Sequence, residues 1–148
     1  MAKRIIRIVL EVLSLLVLLG TIVFLMIYWK RLPDQVPAHF GAHGEINSWG
    51  EKRTLWLLPI VSVFLYLFLS SINAIVLSAM KHELPPSAGV WLSAIKLPTI
   101  ALFSVMTIYA ALLRPLPVWL TPLSILLPLI PITGLVVASV RWELIRRK

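Results

Sequence analysis

The sequence predicts an all-α, integral-membrane four-helix bundle, with both termini on one side and an ordered loop between its first two helices on the other. Three observations carry that expectation. The 148 residues are 59% hydrophobic and 14% charged, with a mean hydropathy of +0.94. A soluble domain carries about 25% charged residues, and a chain this small and apolar cannot cover itself with polar groups. The apolar residues gather into four runs, each long enough for the roughly 20 helical residues that a bilayer requires. None of the runs alternates polar and apolar residues as a barrel strand does, and closed barrels are the only other spanning solution in lipid.

The first run covers about residues 5–29. It is too long for a signal peptide, and Lys30, Arg31, Leu32 and Pro33 come directly after it without a small-residue cleavage site, so an uncleaved span is expected. The other runs cover about 55–80, 89–113 and 119–142. They form a single membrane domain over 1–148. The connections are unequal: residues 30–53 make a long first loop, KHELPPSA a short second, and Arg114 to Val118 a minimal third. A long loop among tight ones is where function concentrates.

Orientation is set by the basic residues. Lys3, Arg4, Arg7, Lys81, Lys96, Arg141, Arg146, Arg147 and Lys148 fall to one side; Lys30, Arg31, Lys52, Arg53 and Arg114 fall to the other. The richer side is expected to be cytoplasmic, which puts both termini inside and the long loop outside. Trp29, Trp49, Trp56 and Trp119 then mark the outer interface, and Trp91 and Trp142 the inner one, the depth a ring with one polar N–H prefers. The net charge of +8 sits at the ends of the runs and forms no continuous basic face, so no nucleic-acid partner is expected. The absence of cysteine removes disulfides, thiolate metal sites and thiol nucleophiles.

Within the long loop, Pro33 and Pro37 of LPDQVP favour extended backbone and deny a helix. Gly41 and Gly44 break the segment after Phe40, and His43-Gly44-Glu45 reads as a tight turn. Ser48 and Glu51 have the spacing of a capping box, which predicts that the second helix starts there. The loop is therefore expected to be an ordered cap, such as a small hairpin. His39, His43 and Glu45, with Asp34 as a fourth ligand, are a candidate zinc set. Against it, the two glycines oppose the helix that would align His39 with His43, and H-x-x-x-H alone is a weak signal. The expectation is that one histidine bonds loop backbone and the other is solvated, with a metal site or an acid–base group as the alternatives.

Several polar residues lie inside the spans. An ionisable Glu11 marks a site or a pair, and the expectation is a structural pair between Glu11 and Arg141 that holds the first helix to the last. Asn73, after Ser70 and Ser71, is placed to bond a neighbouring helix, and Lys96 to snorkel to the inner surface. Pro128 and Pro131 leave the carbonyls of Ser124 and Leu127 without helical partners, which predicts a kinked fourth helix packed on its neighbours.

LPDQVPAHFGAHGEINSWGEKRTLWLLP resembles the pattern L-P-x-x-[VI]-P-x-H-F-x-x-x-G-x-x-D-x-W-x-x-K of a small integral-membrane family whose domain was defined without a known function. That domain occurs in immunity proteins of the sporulation-delaying toxin (SdpI) type. Leu32, Pro33, Val36, Pro37, His39, Phe40, Gly44, Trp49 and Lys52 match, with Pro59 just beyond, while Asn47 stands at the acidic position. The resemblance implies a multi-pass cell-membrane protein with an outward loop and does not imply an enzyme; a non-enzymatic protein without a cofactor is expected. Pro33, Pro37, His39, Phe40, Gly44, Trp49 and Lys52 would form the recognition loop. Its partner would be membrane lipid, a peptide toxin or another membrane protein. An accessory subunit of a larger complex and a metal-dependent loop at His39, His43 and Glu45 are the alternatives.

Overall fold

The computed structural model describes residues 1–80 and 82–147; Lys81 and Lys148, two of the basic residues on the expected cytoplasmic side, lie outside them. Four helices run up and down in turn: α1 (Ala2–Tyr28), α2 (Leu57–Ala79), α3 (Ala88–Ala111) and α4 (Leu120–Arg146). All four are long and apolar enough to cross a membrane, which fits a multi-pass membrane protein. The segment between α1 and α2 adds an antiparallel hairpin of β1 (Gln35–Phe40) and β2 (Ile46–Glu51), flanked by 3-10 turns at Trp29–Arg31 and Lys52–Trp56.

α3 is the hub. It packs along α1 and against both α2 and α4, whereas α1 and α4 make no comparable contact among the described residues. Its hub role is written in small and polar side chains. Ser93, Lys96, Ile100, Ser104, Thr107 and Ala111 recur at three- and four-residue spacing and are all buried. α1 answers with Ser14, Leu18, Thr21 and Leu25. In lipid, apolar side chains gain little by leaving one apolar solvent for another, so close approach of small residues drives the packing. The hydroxyls do not go unsatisfied. Ser14, Thr21, Ser104 and Thr107 each donate to the carbonyl four residues back, at 2.8 Å.

α4 is a continuous helix despite Pro128 and Pro131. Of its side chains only Leu120 and Pro131 are buried, and most of its surface is apolar and outward-facing, as a lipid-facing helix requires. Midway along it, Gly134 lets the Trp91 ring of α3 lie directly on the α4 backbone. α3 ends in a Schellman motif: Arg114 N–H donates to the Tyr109 carbonyl at 3.0 Å and Leu113 N–H to that of Ala110 at 3.1 Å. Leu113 takes the left-handed position at φ 56°, where glycine is the usual occupant.

The hairpin lies across the end of the bundle. Beneath it Leu32, Val36 and Leu55 join Leu25, Ala110 and Ala111 in one buried cluster, with Phe24, Tyr28, Trp29, Phe40 and Trp56 packed around it. The loop is thus tied into the same apolar core as the helices.

Three expectations are corrected by the fold. The Ser48–Glu51 capping box does not form: β2 runs through both residues, Glu51 pairs with Gln35, and α2 begins six residues later without a side-chain cap. Strand pairing occupies the backbone that a cap would have needed. Lys96 does not snorkel; its side chain is 1% exposed, because anionic and hydroxyl partners wait inside the bundle. Glu11 meets Lys96 and not Arg141, because α1 lies along α3.

Candidate functional site

Two places concentrate polar chemistry: the hairpin at one end of the bundle and a network inside it.

The hairpin is built from its tip. Gly41 N–H donates to the Glu45 carbonyl at 2.8 Å and Gly44 N–H to that of Gly41 at 3.0 Å, closing the turn. The Glu45 carboxylate accepts from the His43 amide at 3.0 Å. Gly44 has φ +84° and is buried against Leu116, whose carbonyl occupies the space of any Cβ. Its own carbonyl accepts from Leu116 N–H at 2.8 Å. Beside it, the Thr121 hydroxyl donates to the Ala42 carbonyl at 2.9 Å. The tip is therefore clasped at two points, to the α3–α4 connection through Leu116 and to the first turn of α4 through Thr121. At the base, Lys52 N–H donates to the Asp34 carbonyl at 2.9 Å, and the two side chains pair at 3.2 Å. The Lys52 ammonium also lies 5.9 Å from the centre of the Trp29 ring.

Pairing slips twice along the strands. Pro37 faces Trp49 and His39 faces Ser48, so Ala38 is an extra residue on β1; Phe40 faces Ile46, so Asn47 is extra on β2. Bulges of this kind re-aim side chains. Val36 and Pro37 are accordingly both buried, whereas Ala38 and His39 both turn outward.

The motif residues now divide by what they touch. Leu32, Val36, Pro37, Gly44 and Pro59 are buried and hold the hairpin on the helices. Pro33 is exposed at the approach to β1, and Lys52 closes the base. His39 and Phe40 line a cleft of about 310 Å³ with Pro37, Leu55, Leu58 and Met106, between the hairpin and the ends of α2 and α3. Trp49 stands on the outer face of β2, 52% exposed. His39, Phe40 and Trp49 are thus the motif side chains that a ligand can meet. The zinc set does not assemble: His39 is on β1 and His43 in the turn, and no three metal-ligating side chains come together among the described residues.

The second place joins three helices. Lys96 on α3 donates to Glu11 Oε1 on α1 and to the Ser70 hydroxyl on α2 at 3.0 Å. Glu11 also accepts from Ser93 at 2.8 Å and from the Tyr66 hydroxyl at 3.1 Å. Asn73 donates to Ser93 at 3.0 Å, the interhelical bond that its place in the sequence suggested, and its Oδ1 has no donor among the described residues. The Tyr66 ring centre lies 5.2 Å from the Lys96 ammonium. Glu11 and Lys96 lie at matched depths, each about 12–14 Å from its helix start at 1.5 Å per residue. Sequence reasoning singled out both residues and paired neither with the other. The signal available was that depth, shared by opposite charges on different spans.

What the network can do is hold. The ammonium has a carboxylate, a hydroxyl and a ring face, and the carboxylate has three donors, so the charges are mutually satisfied. Such an arrangement fixes which faces of α1, α2 and α3 meet.

Comparison with known proteins adds one finding. No curated protein and no solved structure matches the chain. A family model described as a domain of unknown function, DUF1648, matches residues 16–63, the part that runs from mid-α1 through the hairpin into α2.

Proposed function

We propose that this protein is a non-enzymatic recognition protein of the cell membrane, immunity-protein-like, with the hairpin outside and both termini inside. The observation that carries the reading is the hairpin itself. It is hydrogen-bonded to its surroundings at tip and base, leaves Trp49 exposed and opens a cleft beside His39 and Phe40. A binding surface is most effective when its aromatic anchors are fixed before the partner arrives. The cleft is walled mainly by apolar side chains, with His39 as a polar group in its lining, which suits the side chain of a membrane-active peptide. Orientation is supported by charge. With Lys96 spent on Glu11, the sequence leaves eight lysines and arginines on the side expected to hold both termini, against five on the other, and the excess still favours termini inside.

The test is protection. Cells producing the protein are challenged with a panel of membrane-active peptide toxins, and His39→Ala and Trp49→Ala are compared with wild type at equal membrane abundance. Protection against at least one peptide, lost in both variants, is the expected result. Protection that survives both substitutions, or none against any peptide, overturns the reading.

A further inference from the structure

At the end of the bundle away from the hairpin, a groove of about 630 Å³ opens between the start of α1, the α2–α3 connection and the end of α4. Lys3, Arg4, Arg7, His82, Gly89 and Trp142 line it, and no carboxylate is among the described side chains that do. None of Lys3, Arg4 and Arg7 takes part in an ion pair among the described residues, whose pairs are Lys52–Asp34, Lys96–Glu11 and Arg147–Glu143. Three converging cations without a counter-charge form a receptor for an anion.

Trp142 supplies a second, independent observation. Its indole Nε1 is buried and has no hydrogen-bond partner among the described residues, and an orphaned buried donor is uncommon in a finished structure. The same side chain and Pro85 also line a second groove, of about 600 Å³, that runs between α3 and α4 over Trp91, Ile130, Val137 and Ala138. That second groove is mostly apolar, with Ser87, Thr133 and Arg141 as the polar side chains in its lining. A basic cup and an apolar trough therefore meet at one indole.

We infer that this joint is a binding site for an anionic phospholipid, with the phosphate of the headgroup among Lys3, Arg4 and Arg7 and an acyl chain along the α3–α4 trough. A small shift of the Trp142 ring on binding uncovers indole Nε1, which then donates to a headgroup oxygen. A free phosphate would use the cup alone; the adjoining trough favours the lipid. Basic pockets between spans at an anionic leaflet take headgroups in this way. The site is remote from the hairpin and does not depend on what the hairpin recognises.

The experiment is native mass spectrometry of the purified full chain with phosphatidylglycerol, phosphatidylcholine or inorganic phosphate added. Retained phosphatidylglycerol, with little phosphatidylcholine, is expected. Neutralising the cup as Lys3→Gln/Arg4→Gln/Arg7→Gln should weaken phosphatidylglycerol binding by about a hundred-fold, at roughly five-fold per basic side chain. Arg7 is half-buried, so the exposed pair alone, Lys3→Gln/Arg4→Gln, serves if the triple variant does not fold, with a loss of about 25-fold on the same basis. Trp142→Phe keeps the ring, removes the donor and should weaken binding several-fold. Charge removal at the hairpin end, Lys30→Gln/Arg53→Gln, should leave binding unchanged. Equal retention of the two lipids, unchanged binding in the cup variants, or displacement of the lipid by inorganic phosphate overturns the proposal.

Discussion

At the scale of single residues, the Glu11–Lys96 pair is asymmetric, and the asymmetry makes a prediction. Lys96 is 1% exposed and Glu11 24%. Removing the carboxylate strands an ammonium with no route to water. Removing the ammonium leaves a carboxylate that still accepts from Ser93 and Tyr66. Glu11→Leu should therefore destabilise the bundle more than Lys96→Met, the first on the order of 3 kcal/mol, the penalty for an uncompensated buried charge. The double variant should recover most of the loss, because it leaves no charge to desolvate. Denaturant unfolding in detergent of the four proteins closes the cycle; additive losses would show that the two residues act separately. The residues themselves were visible in the sequence as charges inside apolar runs. Their partnership was not, because hydropathy reports depth and says nothing of which helix stands beside which.

The hairpin is the element whose integrity depends on one backbone position. Gly44 is constrained twice, by φ +84° and by the Leu116 carbonyl against its Cα. Gly44→Ala should cost about 1–2 kcal/mol from the left-handed backbone alone, and more because the tip must lift from the α3–α4 connection. Faster amide exchange at Leu116, whose N–H bonds the Gly44 carbonyl, is the expected signature; exchange as slow as in wild type would show that the clasp does not hold the tip. Much of this element was legible. Pro33 and Pro37 denied a helix, and the glycines placed the turn. What misled was Ser48 and Glu51, whose spacing fits a cap as well as it fits β2. Local spacing cannot decide between them; the cross-strand partner Gln35 does. The docking of the tip onto residues more than 70 positions away had no local signal at all.

For the whole molecule, the testable statement is which end faces out. The chain has no cysteine, so a single one can report topology without background. Ala42→Cys, at the exposed tip, should react with a membrane-impermeant maleimide in intact cells. Arg147→Cys should react only after permeabilisation, and the reverse pattern would invert the orientation and remove the hairpin from the outer face. The arrangement of the spans also bears on how the protein is made. α3 is the least apolar of the four, with a hydropathy of 1.6 against 2.3 to 2.8 for the others, and it carries the lysine, a side chain that costs about 3 kcal/mol at the centre of an isolated span. It is also the helix on which the other three pack. During synthesis, then, α1 enters the bilayer on its own hydropathy but holds a carboxylate with no cationic partner until α3 emerges. Each span lacks what the other brings, so the translocon must release them as a pair or keep α1 waiting. The centre of the finished bundle is the last part that can stand in lipid alone.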